Sequence, residues 1–165
     1  MGILNFSGIG SAISKAFGIG EAKAAATTAA PNLQDLEQKA ADAITANIAA
    51  NNLTADGLLV AFDAKSSTVT VQGEAADQAT KEKILLCCGN VHGVTVVTDE
   101  MSVTAPSDPS EYYTVVSGDN LSKIAAHYYG NANDYPKIVD ANQPMIVNAD
   151  KIYPGQSLRI PPKTW

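Results

Sequence analysis

The chain has few cysteines, few aromatic residues and no clustered positive charge: its 165 residues include two cysteines, one tryptophan and 6% aromatics, with 11 Lys and Arg against 17 Asp and Glu. Each shortage excludes something. The two cysteines, Cys87 and Cys88, are adjacent, so they cannot build the crosslinked framework that lets small secreted domains manage with a small core. A reducing, cytoplasmic setting is expected instead. Lys and Arg form no stripe, so the electrostatic footprint of a nucleic-acid partner is missing. No apolar run reaches the roughly 18 to 20 residues needed to cross a bilayer. The opening MGILNFSGIGSAISKAFGIG lacks a basic start and a uniform apolar block, and is therefore expected to stay in the mature protein rather than act as a secretory signal.

What remains is the composition of a soluble globular protein, 45% apolar and 17% charged, long enough for one ordinary domain or two small ones. Charge is uneven, because residues 32–104 hold ten acidic side chains against four lysines. Ile3, Phe6, Ile9, Ile13 and Phe17 recur at spacings of three and four, which predicts a short N-terminal amphipathic helix. The small-residue run EAKAAATTAAP after it reads as a linker ended by Pro31. Leu33, Leu36, Ala40, Ile44 and Ile48 predict an amphipathic helix stopping near Asn51 and Asn52.

LLVAFDA and STVTVQG then alternate as a hairpin closed at Lys65 and Ser66, with Val60, Phe62, Val69 and Val71 inward. Asp77 is placed as the N-cap of a helix through ATKEKILLCC, with Gly89 as its left-handed C-cap. VTVVTDEMSV returns as a third strand. TAPSDPSE, residues 104–111, has two prolines and no large apolar side chain, the mark of a linker between units. Beyond it, YYTVVSGDNLSKIAAHYYG predicts a strand and a helix N-capped by Asn120 that buries Leu121, Ile124 and Ala125; DYPKIVDAN adds a helix and KIYPGQSLRIP a turn and strand. The fold class is α+β: two small domains, helix-strand-strand-helix-strand over 32–103 and strand-helix-helix-strand over 112–162, behind an N-terminal segment and linker at 1–31.

The densest cluster of special residues is LCCGNVHGV, residues 86–94. Cys87, Cys88 and His92 invite a zinc or redox reading, but structural zinc needs four ligands, and adjacent helical residues diverge by about 100° around the axis. Buried thiols beside a surface histidine are the preferred reading. His127, next to Tyr128 and Tyr129, reads as an exposed helix residue with no nucleophile motif to serve. No enzymatic activity is expected.

Two resemblances attach to these motifs. The stretch from YTVVSGDNLSKIA through AN to IYPGQSLRIP resembles a LysM domain along its whole length, and residues 33–103 resemble a BON domain through VTVQG and GNVHGVTVV. With MGILNF ahead of them and KEKIL before the GNxxG turn, the combination resembles the Kbp family of small bacterial cytoplasmic potassium-binding proteins. A potassium site is physically compatible with this turn, because K+ is commonly held by neutral backbone carbonyls in place of its water shell. A helix end offers carbonyls without intrahelical partners.

The resemblance implies K+ held by main-chain carbonyls of Ser7, Gly10 and Ala12 in the N-terminal segment and of Gly89, Val91 and Val94 in the turn. It implies a monomeric cytoplasmic sensor or buffer in which the ion orders the N-terminal segment and the BON domain relative to LysM. For LysM, the resemblance implies either a packing and partner-docking module or a groove for N-acetylglucosamine-containing glycans. That groove would lie between Gly118, Asp119, Asn120, Leu121 on one side and Pro144, Met145, Ile146 on the other. The alternatives are a cell-envelope protein holding peptidoglycan through LysM, and a docking piece of a phage-like or secretion assembly.

Overall fold

The computed structural model describes residues 2–6, 19–28, 30–91, 93–146 and 148–165. The chain starts on a strand, β1 (Gly2–Asn5), continues through α1 (Ile19–Thr28) and α2 (Leu33–Ala50), and enters the hairpin β2 (Asp56–Asp63) and β3 (Thr68–Asp77). Then α3 (Gln78–Gly89) crosses over to β4 (Val96–Ala105). The sheet runs β1-β4-β3-β2, with β3 and β4 parallel and both outer pairings antiparallel. Its inward face carries Val60, Phe62, Val69, Val71 and Val97, against Ala40, Ile44 and Ile48 of α2 and Ile84, Leu85 and Cys88 of α3. The alternating strands and the 3-to-4-spaced helix converge on one core, as their periods require.

Two expectations for the N-terminal segment are corrected. Residues 2–5 are extended rather than helical, antiparallel to β4 with Ile3 opposite Thr98 and Leu4 opposite Val97. The relevant period is two: Leu4 and Phe6 pack on the core, whereas Ile3 is 68% exposed. Pairing with β4 decides the matter, since it covers a sheet edge whose N–H and C=O groups would otherwise have only water. The remaining positions of the predicted helix, Ile9, Ile13 and Phe17, lie outside the described residues. The small-residue run is not a linker but α1, with Ile19, Ala22 and Ala25 buried at three-residue spacing. Alanine has the highest helix propensity, and its small side chain lets α1 lie close on its neighbours.

The second unit consists of β5 (Glu111–Thr114), α4 (Leu121–Tyr129), a 3-10 turn at Ala132–Asp134, α5 (Tyr135–Ala141) and β6 (Ser157–Ile160). β5 and β6 form a two-stranded antiparallel sheet, and Leu121, Ile124, Ala125, Ile138, Ile146 and Leu158 make a separate core. Asn120 caps α4 by accepting the Lys123 N–H, and Gly130 ends it at φ 76°. The two units touch through α3, which packs on β6 as well as on β3 and β4.

Candidate metal centre

The candidate site is built on the last turn of α3. Asp77 accepts the Thr80 N–H at 2.7 Å and starts the helix as the sequence predicts. The other end departs from expectation. Gly89 is the final helical residue, followed by Asn90 at φ -82°, and the left-handed residue of the turn is Gly93 at φ 92°. Glycine at 89 answers to packing: a Cβ there would fall within the Phe6 ring.

From Ile84 to Gly89 every residue is buried, because α3 has neighbours on two sides. Ile84, Leu85, Cys87 and Cys88 face the larger core, while Glu82, Leu86 and Asn90 follow at spacings of four on a row toward the second unit. Both cysteines are free, and burial pushes the Cys87 thiol up to about 12 and Cys88 well above its ordinary value, the latter also through its neighbour Cys87. Neither is therefore a thiolate at neutral pH, the form that redox chemistry and metal ligation require. His92 lies outside the described residues; among those described, no three His, Cys, Asp or Glu side chains cluster as metal ligands. His127 is exposed and stacks edge-on with Tyr128.

The polar content of residues 89–94 is therefore mainly backbone. The side chains of Val91 and Val94 are buried in the core. The Asn90 N–H donates to the Leu86 carbonyl at 2.9 Å and the Val94 N–H to the Val91 carbonyl at 3.1 Å. A carbonyl oxygen has two lone pairs, so that bond leaves the Val91 oxygen a second acceptor position. The neighbouring Gly93 carbonyl accepts from the Lys23 ammonium of α1 at 3.4 Å.

The segment that sequence reasoning pairs with this turn is tethered at both ends beside it. On one side Phe6 donates its N–H to the Thr95 carbonyl at 2.8 Å and lays its ring on Gly89. On the other side Ile19 Cγ2 stands 2.8 Å from where a Gly93 Cβ would be. The predicted donors Ser7, Gly10 and Ala12 fall between these two anchors and outside the described residues. The sequence carried no signal for Lys23, and the packing of Phe6 and Ile19 on the turn was invisible because it pairs residues some 75 to 85 positions apart.

The predicted glycan residues are largely committed within the protein. The Asp119 carboxylate accepts from the Tyr113 hydroxyl at 2.5 Å and the Val116 N–H at 2.9 Å, which hold it below the usual carboxylate range, and Asn120 is the α4 cap. Leu121 and Ile146 are core residues at 1% exposure, and Met145 packs against the core of the larger unit. Gly118 and Pro144 are exposed.

The larger unit matches the BON domain model over residues 36–105 and the smaller the LysM domain model over residues 113–161. This is a mixed α+β chain carrying one BON and one LysM domain. It is 52% identical over 92 residues, 56% of its length, to the Escherichia coli protein named Potassium binding protein Kbp, and that match covers 62% of the Kbp chain. An uncharacterized protein of Deinococcus radiodurans is 59% identical over 49 residues, which is 30% of this chain and 19% of that one. No helix among the described residues is long and apolar enough to cross a membrane.

Proposed function

We propose that this protein binds K+ through backbone carbonyls of Gly89, Val91 and Val94 together with those of Ser7, Gly10 and Ala12, and serves in the cytoplasm as a potassium sensor or buffer. The observation that carries this reading is the double tether. Phe6 and Ile19 rest on the turn, so the segment between them starts and finishes within reach of its carbonyls. A cage assembled from two chain segments at neutral oxygens suits a large, weakly hydrated monovalent ion. The Lys23 ammonium on the Gly93 carbonyl supports it further, since an ammonium is a monovalent cation drawn to the same kind of oxygen. The similarity to Kbp points the same way.

In this reading LysM is an internal docking module, favoured over the glycan groove because Met145 is spent on the BON core. Calorimetric titration of the chain with KCl and, separately, NaCl is the test. Saturable K+ binding in the millimolar range or tighter with no Na+ response is the expected result; equal responses to both ions, or none, would exclude the proposal.

A further inference from the structure

α3 meets the LysM domain at two points eight residues apart, and both lie on β6. In its second turn Glu82 pairs with Arg159, whose Nε and Nη2 stand 3.0 and 2.9 Å from Oε1. At its far end Asn90 holds Ser157: Nδ2 donates to the Ser157 carbonyl at 2.9 Å, and Oδ1 accepts the Ser157 N–H at 2.8 Å.

Among the described residues β6 has one strand neighbour, β5. In an antiparallel strand the N–H and C=O of one residue face the same edge, and successive residues face opposite edges. Ser157 and Arg159 therefore present their backbone groups to the same, outer edge. Each is met by an asparagine amide, which carries one donor and one acceptor as a neighbouring strand would. At Arg159 the amide is Asn142 of LysM itself, which accepts the N–H at 2.9 Å and donates to the carbonyl at 3.0 Å. At Ser157 it is Asn90 of the BON turn. LysM supplies one strand substitute for its edge, and the candidate ion site supplies the other.

We propose that Asn90 is a positioning residue that couples the ion site to LysM: by clasping Ser157 it fixes the backbone between Gly89 and Val91, the residues on either side of it, and so holds their carbonyls in the ion-binding arrangement. Ion binding and LysM docking then stabilise each other, and by linkage the factor by which docking tightens K+ binding equals the factor by which K+ tightens docking. The coupling rests on the potassium reading above. It does not need LysM to touch the ion.

The test is a KCl titration of the full chain, of Asn90→Ala and of Asn90→Asp, read by calorimetry and by the amide resonances of residues 157–160. Thermal unfolding serves as the control for folding. In the parent, K+ is expected to move the β6 amides. In Asn90→Ala, K+ binding weakens about tenfold and the β6 response is lost, while residues 89–94 still respond at saturating K+.

Asn90→Asp separates coupling from charge. It adds a negative charge beside the cation, which by Coulomb attraction alone would strengthen binding, but it cannot donate to the Ser157 carbonyl. Weaker binding than the parent is expected. Parent-like affinity and β6 shifts in the variants would overturn the coupling and leave the potassium reading intact, as would β6 amides that ignore K+ in a parent that binds it. A parent chain that binds no K+ overturns both.

Discussion

Gly89 and Phe6 show how a single position can be misread when only its local options are weighed. Glycine after a helical run suggests a left-handed cap, but here it makes room for an aromatic ring. A methyl group at 89 must displace that ring, and overpacking of this kind costs about 1–3 kcal/mol. Gly89→Ala should therefore lower stability in denaturant titrations by about that much. In a Phe6→Ala background the penalty should vanish, because the methyl group then fills vacated space and alanine favours the helix. Equal costs in both backgrounds would show that Gly89 is needed for its backbone conformation instead. Lys23 gives a second test at this scale. Its ammonium lies on the Gly93 carbonyl, so it repels a cation bound to the same turn. Lys23→Met is expected to tighten K+ binding by roughly a few-fold, less at high salt. Unchanged affinity at low salt would place the ion elsewhere.

At the scale of elements, the helices and strands of both domains follow from patterning, and the failures share one cause. α2, β2, β3 and α3 appear where spacing, the Lys65–Ser66 turn and the Asp77 cap place them, since each has a buried face with its own period. β1 and α1 escape patterning because both are marginal alone. The segment 2–6 shows a helical spacing through Ile3 and Phe6 and a strand spacing through Leu4 and Phe6, and only the available edge of β4 selects the second. α1 lacks large apolar side chains apart from Ile19, so its burial against α2 does not show in its own composition.

On the scale of the whole molecule, the relation between the domains rests on a few buried polar contacts. Ser110, within the stretch that composition marks as a linker, is 8% exposed and donates its N–H to Glu82 Oε2 at 2.9 Å. Arg159 reaches Glu82, the Ala141 carbonyl at 2.7 Å and the Ser110 hydroxyl at 3.1 Å. Burial alone would raise the Glu82 carboxyl, but hydrogen bonds from Ser110 and Gln78 together with the Arg159 guanidinium outweigh it and hold the group below its ordinary 4.5. Lys83, Tyr112, Asp77 and Tyr129 also feel the Arg159 charge. Burial lowers Lys83, assisted by Arg159, and raises Tyr112, assisted by Glu82.

A carboxyl depressed in the folded state contributes stability that is present above its unfolded value and disappears as pH falls through the folded one. Docking should therefore be complete at neutral pH and loosen only as pH falls below the ordinary 4.5 of a glutamate carboxyl, read from the Ser157 and Arg159 amide resonances. Glu82→Gln should abolish this acid limb while weakening docking at neutral pH, because Arg159 loses its counter-charge. An unchanged acid transition in that variant would assign it to another group.

The sequence by itself determined the α+β class, the periodic cores of the two domains and the cluster of backbone-rich residues at 86–94, because these depend on interactions between residues close in the chain or on one buried face. Only the tertiary structure decided that β1 closes the sheet edge, that α1 covers the turn, and that Asn90 and Glu82 fasten BON to LysM. Those contacts join residues up to 97 positions apart. Asparagine and glutamate carry no mark of a distant partner, and only the packed chain reveals which backbone edge or guanidinium each one meets.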